Sequence, residues 1–451
     1  MGANGAVGAT GARRAVVVGC GPVGSLAAIY LARTGWRVEV FEVQPRYEDR
    51  LAQAGAAQRA YTILLGPRGK DAINGAGASL GRDRGVDLEG YVLHRGRVGQ
   101  TMNVDLRAGK LTAINRDVLG WTLQQHGAAA HADRIQYYFG HRLTGLDFEQ
   151  KVATFEGGGG DVARGYDLLV GADGVWSGVR AEMAKAGFLT FQQHRNVGGI
   201  KVVEVDGLPG AGDAWGRQWH MWVRHSPKFA MLGSPTPAGR FRLGIGTMTR
   251  DWDEEFGHLR TEADVAAKFE SKFPDLFGGN PLPEGLARDL LEQRASHNGV
   301  ATHCSAFHGG GAVLVGDAAH SMWLNRGQGC NSGLESARIL SEVIEEHGGD
   351  LAKALPAFTA ARKPDTDAAV AMSKRPLINP GVMLRGMVLW ALHRALPFAF
   401  GPLAEDGVAD PRVPYSRIEA MHRWQDAQLA VLAAAGAVGL ACLVLRARLF
   451  P

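Results

Sequence analysis

Cysteine is scarce in this chain: Cys20, Cys304, Cys330 and Cys442 are the only four in 451 residues, widely spaced and never as C-x-x-C. That pattern excludes a disulfide scaffold and a cysteine zinc site, and it makes a reducing compartment the expectation. A dominant charge sign is missing too. A net charge of +4 over this length gives no basic face for nucleic acid. No internal repeat occurs, and the Gly/Ala-rich start lacks the apolar core of a signal peptide. Met1-Gly2 opens like a myristoylation site, but Ala6 stands where Ser or Thr is required, so no acyl anchor is expected. Neither a nucleophilic triad nor a metal-ligand cluster stands out.

What is present is an ordinary globular composition, 46% apolar and 21% charged. The length implies two domains, or one domain with a large insertion. Ala15–Val18 reads as a buried strand, followed by Gly19-Cys20-Gly21-Pro22-Val23-Gly24 and a helical pattern from Ser25 to Thr34. A second strand, Arg37–Phe41, ends at Glu42. A lone G-x-G-x-x-G is weak, but here it sits between strand and helix with an acid closing the next strand. That is the context of a dinucleotide site, with the pyrophosphate at the helix N-terminus and the acid on a ribose.

Two more strand ends carry glycine and aspartate. Tyr166–Val170 runs into Gly171-Ala172-Asp173-Gly174-Val175-Trp176-Ser177-Gly178-Val179-Arg180. Val313-Leu314-Val315 runs into Gly316-Asp317-Ala318-Ala319-His320, then through Gly327-Gln328-Gly329-Cys330-Asn331 into a helix. Between the first and second sites, a strand and capped turn are expected over Arg59–Gly69, and Leu111–Asp117 leads into a helix over Val118–Gln125.

These three sites in this order resemble the single-component FAD-dependent aromatic monooxygenases, and within them the kynurenine hydroxylases. Arg68-Gly69, Phe273-Pro274-Asp275, Leu355-Pro356, Pro364-Asp365, Tyr415-Ser416-Arg417-Ile418 and Arg423-Trp424 extend the likeness over about residues 14–425. The resemblance implies an α/β fold: a Rossmann-like FAD-binding domain of the p-hydroxybenzoate hydroxylase type, with an inserted, mainly antiparallel substrate sheet and a helical C-terminal region. The expected divisions are 1–185 and 296–350 for the FAD domain, with substrate-side strands near 88–106, and 186–295 for the sheet. Residues 351–425 are the helical region and 426–451 a membrane-anchoring helix.

The same resemblance assigns FAD as cofactor, NADPH or NADH as co-substrate and O₂ as oxidant. An electron-rich substrate then takes oxygen from a flavin C4a-hydroperoxide. The protein orients the ring and excludes water. By position, Gly19, Gly21, Val23 and Gly24 form the pyrophosphate turn, and Phe41, Glu42, Val43 and Gln44 flank the AMP ribose. Leu64 lies near the flavin, Arg116 faces the diphosphate or ribityl chain, and Leu143 offers backbone to the adenine. Asp173 serves FAD and the passing NAD(P)H, Asp317 holds the ribityl chain, and Cys330 and Asn331 present N–H groups to the pyrimidine end. His320 is expected to pack rather than act as a base.

The substrate side departs from the kynurenine hydroxylases. Their carboxylate-anchoring Arg falls at Tyr91, just before Val92-Leu93-His94. The partnering Tyr falls near Val104 or Asp105, the C-terminal Asn at Pro376, and the last Tyr within Ala404–Asp410. Leu324 replaces a Pro, and Asn325-Arg326 replace an apolar pair, leaving Arg326 as a substitute anion contact. Without the Arg–carboxylate pair little holds a zwitterion, so a more apolar aromatic or polyenic substrate is expected. A flavin reductase or dehydrogenase acting on an isoprenoid or other lipid-soluble substrate is the alternative.

Short segments at Gly198–Glu204, Trp219–Val223, Phe229–Gly233 and Arg240–Met248 read as the inserted sheet. In Trp219-His220-Met221-Trp222, alternating core and surface positions are favoured over an aromatic pocket. A helix contains Ala263–Phe273. Leu429–Leu445 is uncharged for 17 residues with Arg446 and Arg448 after it, the lower limit for a membrane span. Contact with membrane lipid is therefore expected, the catalytic part facing the cytosol. The alternative is an Ala-rich helix packed on the protein. Pro380–Gly401, rich in Met, Leu, Trp and Phe, is expected against the same surface.

Overall fold

The computed structural model describes residues 12–52, 61–81, 83–94, 101–105, 111–206, 216–224, 229–247, 252–274, 282–283, 285–297, 299–375 and 380–449. Two sheets organise the chain. The first has six strands in the order His308–Gly309, Ala312–Leu314, Leu168–Gly171, Arg14–Val18, Arg37–Glu42 and Ile135–Phe139. Every pairing is parallel except the outer one, His308–Gly309 with Ala312–Leu314. Its strands are continuous apolar runs such as Ala15–Val18 and Leu168–Val170, at most 6% exposed, as expected of a parallel sheet covered on both faces. Covering it are helices Pro22–Arg33, Arg116–Ala130 and Gly329–Glu346. The side chain of Asn115 accepts from the N–H groups of Asp117 and Val118 and so caps the second of these, worth about 1 kcal/mol.

The second sheet has seven strands: Ser296–His297, Gly199–Val205, Phe241–Thr247, Phe229–Pro235, Gln218–Arg224, Gly90–His94 and Thr101–Asp105. It is antiparallel except where Gln218–Arg224 runs parallel to Gly90–His94. The strand from the first third of the chain thus completes the inserted sheet. Side-chain alternation gives that sheet two jobs. Val203, Trp222, Met231, Phe241, Leu243 and Ile245 point back into a core with helices Trp252–Phe256, Glu262–Lys272 and Leu286–Glu292. Ile200, Val202, Trp219, Met221, Ala230 and Leu232 face a large cavity. The run Trp219–Trp222 does alternate, and one of its faces is a cavity wall rather than solvent.

The C-terminal region is helical: Leu351–Ser373, Pro380–Ala395 and Tyr415–Leu449. An ionic clasp ties it to the FAD domain, and Arg68, Asp365, Tyr415 and Ser416 in it belong to the motifs that carry the sequence resemblance. Arg68 pairs with Glu335 at 3.1 Å and lies over the Tyr415 ring at 4.2 Å. Arg362 pairs with Glu335 at 3.2 Å and Asp365 at 2.9 Å, and Asp365 accepts from the Ser416 N–H at 2.9 Å. All four charged side chains are buried, so removing one strands the others, typically at a cost of about 3–5 kcal/mol.

Two expectations about the tail need correcting. It is not a separate element at 426–451 but the end of one helix that starts at Tyr415, whose first turns are anchored by fully buried Tyr415 and Ile418. The expected membrane span is not found either: among the described residues, no helix is long and apolar enough to cross a membrane. Nor do residues 430–435 pack on the protein, since all of them are exposed.

Candidate functional site

The two sheets face each other across a cavity of about 1340 Å³, larger than the roughly 300–1,000 Å³ of an ordinary ligand pocket. One end is built by the glycine turn. Gly19 has φ +101°, a left-handed conformation that an added Cβ would strain, and that Cβ would lie 2.4 Å from the Ala172 carbonyl oxygen. A Cβ at Gly24 would come within 1.9 Å of the Gly19 carbonyl oxygen, so Gly24 lets the helix pack against the turn. A Cβ at Gly21 would meet nothing within 4 Å. It borders the open cavity, where a pyrophosphate can reach the start of the helix.

Next to this turn the Glu42 carboxylate accepts from Cys20 N at 2.7 Å and Gln44 N at 2.9 Å. These bonds fix its position while leaving lone pairs for ribose hydroxyls. Val23, Phe41, Val43, Gln44 and Leu143 line the same end. Phe41 stacks between Tyr138, at 4.6 Å, and Phe155, at 3.9 Å, which stiffens the strand end that carries Glu42.

Further in, Asp173, Asp317 and Arg116 line the cavity. Asp173 accepts from Val179 N at 3.1 Å through Oδ2, while its buried Oδ1 has no hydrogen-bond partner. Burial pushes this carboxyl up, opposed by hydrogen bonds from Ser177 and the backbone. Burial raises Asp317 in the same way, opposed by Arg116 and Arg180. Arg116 donates twice to Asp117, at 3.1 and 3.0 Å, and lies 5.6 Å from the Tyr61 ring centroid. An unpartnered acceptor, a second recessed carboxylate and a cation together match a polyhydroxylated, anionic chain such as ribityl diphosphate. The cavity fits FAD.

The structure therefore brings Gly19, Gly21, Val23, Phe41–Gln44, Leu64, Arg116, Leu143, Asp173, Asp317 and Cys330 onto one wall. Two of the expected cofactor residues lie behind it. Gly24 packs turn on helix. Asn331 accepts from Gly66 N at 2.8 Å and donates to the carbonyls of Leu64 and Gly327, so its side chain joins three segments behind the cavity wall. His320 is also behind the wall. It is 2% exposed and bonded to Ser336 at 3.1 Å, and burial, then Arg362, lowers its pKa to about 3. A neutral packing histidine results.

On the substrate side, Tyr91 and Arg326 line the cavity. Arg326 does not offer a free guanidinium. It donates to the Glu405 carboxylate and to the Met372 carbonyl, the latter at 2.9 Å. Burial opposes ionisation of Glu405, but hydrogen bonds from His422 and Arg326 outweigh it and hold the carboxyl down at about 2. Val104 pairs with Tyr91 and Asp105 with Gly90 through the backbone. Pro376 lies outside the described residues. Arg242 was missed by sequence reasoning. It lines the cavity from the inserted sheet, with Nη2 2.8 Å from Glu204. Beside it, Thr62 and Ser234, bonded at 2.7 Å, tie the inserted sheet to the strand Thr62–Leu65 of a separate three-stranded sheet. Strand alternation marks Arg242 as facing opposite Phe241 and Leu243, a signal available once the register is known.

A family described as an FAD binding domain matches residues 13–373. Kynurenine 3-monooxygenase of Salinispora arenicola is 32% identical over 364 residues, 78% of this chain and 77% of that protein. The enzyme of the same name from Salinispora tropica is 30% identical over 453 residues, covering 96% of this chain and 95% of its own. Among solved structures, 2-methyl-3-hydroxypyridine-5-carboxylic acid oxygenase superposes with a TM-score of 0.63 at 22% identity, over 81% of this chain and 90% of that one, which supports the fold. The chain belongs to the FAD-dependent aromatic monooxygenases, as a relative of the kynurenine 3-monooxygenases.

Proposed function

We propose that this monooxygenase hydroxylates an apolar, electron-rich aromatic compound rather than kynurenine. The observation that carries this reading is the wall opposite the FAD residues. Leu93, Ile200, Val202, Met221, Ala230 and Leu232 make it apolar, and its arginine, Arg242, is held by Glu204. Tyr91 stands at the expected position of a carboxylate anchor, and Arg326 is engaged by Glu405. A zwitterionic substrate would lose its hydration on this wall with little charge to replace it.

FAD, once bound and reduced by NAD(P)H, supplies the oxygen-transfer chemistry. The chain's residues orient it: Glu42 and the glycine turn at the nucleotide end, Asp173, Arg116 and Asp317 along the middle. The apolar sheet excludes water from the reacting face. A screen of aromatic compounds for stimulated NADPH oxidation tests the substrate reading. Kynurenine stimulating as strongly as any neutral aromatic would defeat it.

The tail and the helix Pro380–Ala395 support a peripheral lipid contact as part of the same proposal. Leu384, Met387 and Trp390 are each more than half exposed, as is Val431 on the last helix. Met383, on the first of these helices, lines the cavity. This places an exposed apolar face beside the cavity, as an apolar substrate drawn from a bilayer requires.

A further inference from the structure

The short helical turn Leu324–Arg326 brings a guanidinium to the cavity, and its counter-ion comes from 79 positions further along the chain. Arg326 has two anchors: Nε donates to the Met372 carbonyl at 2.9 Å, and Nη1 donates to Oε2 of Glu405. Next to it Asn325 donates to the Ser373 carbonyl at 3.1 Å. The turn is thus tied to the end of the helix Leu351–Ser373 by bonds that do not involve Glu405.

Glu405 is placed independently. Ala404 before it is 1% exposed, and the Ala404 N–H donates to Gln425 Oε1 at 3.5 Å. Gln425 in turn donates to the Pro402 carbonyl at 2.9 Å. The second carboxylate oxygen of Glu405 lies 3.4 Å from His422 Nε2. The two partners differ in their need for each other. The Glu405 side chain is 43% exposed and could stay charged in water alone, whereas Arg326, at 7%, would be a desolvated cation without it. The pair therefore serves the arginine.

Two further cations on the cavity wall are matched in the same way. Arg242 Nη2 lies 2.8 Å from Glu204. Lys374 Nζ lies 3.1 Å from His303, whose other ring nitrogen lies 3.6 Å from Asp367. A carboxylate entering beside Arg326 would meet a guanidinium whose charge is already offset, with a like charge directly behind it. Specificity built on such a repulsive element excludes one class of ligand without adding affinity for another.

We propose that Glu405 is a charge filter: by holding Arg326 it keeps aromatic carboxylates out of the substrate cavity and leaves it to uncharged aromatics. It is a positioning residue that acts through Arg326. The inference rests on the reading of the substrate as a neutral aromatic, and it names the residue of the C-terminal region that enforces this.

Titrating the holoenzyme with benzoate and with nitrobenzene, an uncharged ring of nearly the same shape, tests the filter through the change in flavin absorbance. Wild type should bind nitrobenzene in preference. Glu405→Gln keeps the side-chain shape and removes the charge, leaving Arg326 fixed by Met372 and without its counter-ion. The charge-assisted hydrogen bond then open to benzoate should tighten it roughly 10- to 150-fold, with nitrobenzene unchanged. Benzoate should also raise the melting temperature of this variant more than that of wild type, because it replaces the missing counter-ion. Arg326→Gln is the mirror change and should weaken benzoate below wild type. Combined with Glu405→Gln it should abolish the gain. A purely structural ion pair predicts lower stability in both single variants with the benzoate-to-nitrobenzene ratio unmoved, and that result would overturn the filter. Wild-type enzyme that binds benzoate as tightly as nitrobenzene would instead overturn the neutral-substrate reading on which the filter rests.

Discussion

Replacing Gly21 and Gly24 separately by alanine should split two roles that the glycine turn performs together. A Cβ at Gly24 would sit 1.9 Å from the Gly19 carbonyl oxygen, with no flexible side chain to yield. The helix must then move off the turn, and Gly24→Ala should destabilise the apoprotein by about 1–3 kcal/mol, the usual range for overpacking. A Cβ at Gly21 meets nothing within 4 Å, and its φ of −66° suits alanine. Its thermal stability without flavin should change by only about 0.5–1 kcal/mol, the cost of Ala at a helix N-cap. The added methyl stands where the pyrophosphate must approach backbone N–H groups. Losing one charge-assisted hydrogen bond there, at about 1.5–3 kcal/mol, weakens FAD roughly 10- to 150-fold. Thermal melts of both apoproteins, and FAD titration followed by flavin fluorescence quenching, measure the two effects. Wild-type FAD affinity in Gly21→Ala would refute the placement of the pyrophosphate. An unchanged melt for Gly24→Ala would refute the packing argument.

Other expectations follow from the same geometry. Asp317→Ala should yield a folded protein purified largely without flavin, and full flavin absorbance would contradict its ribityl role. His320 is held neutral with a pKa near 3, whereas its unfolded value is about 6.5. Acid therefore favours the unfolded chain as pH falls from about 6.5 toward 3, by at most about 1.4 kcal/mol per pH unit. Denaturant melts at pH 7 and pH 5 should show a larger acid loss in wild type than in His320→Gln, and equal losses would contradict the burial argument. Deleting residues 429–451 should lower co-sedimentation with lipid vesicles while leaving flavin content unchanged. Undiminished co-sedimentation would show that the tail makes no lipid contact.

The parts legible in the sequence were local ones. Gly19–Gly24, Asp173-Gly174 and Gly316-Asp317 each lie within one strand–turn–helix unit, so spacing places each at a strand end, and the structure makes those strands parallel neighbours. The less legible parts depend on partners distant in sequence. Arg326 reads as an available cation until Glu405, 79 positions later, is seen beside it. Nothing in the sequence singles out Arg242 until pairing of Phe241–Thr247 with Gly199–Val205 sets it against Glu204 on the cavity side. The clasp joins the separate motifs of Arg68, Asp365 and Tyr415 through Glu335 and Arg362, which the sequence does not single out. The tail illustrates a different difficulty. Hydropathy alone cannot register that its helix begins at Tyr415, with its first turns locked into the protein.

The central claim is that oxygen from O₂ enters an aromatic product on this scaffold. Turnover under ¹⁸O₂ with NADPH and the best substrate from the aromatic screen tests it most directly. One labelled oxygen atom per product molecule is the expected result, with turnover abolished when oxygen is removed. Unlabelled product, or turnover undiminished without oxygen, would contradict the account and leave a flavin dehydrogenase in its place.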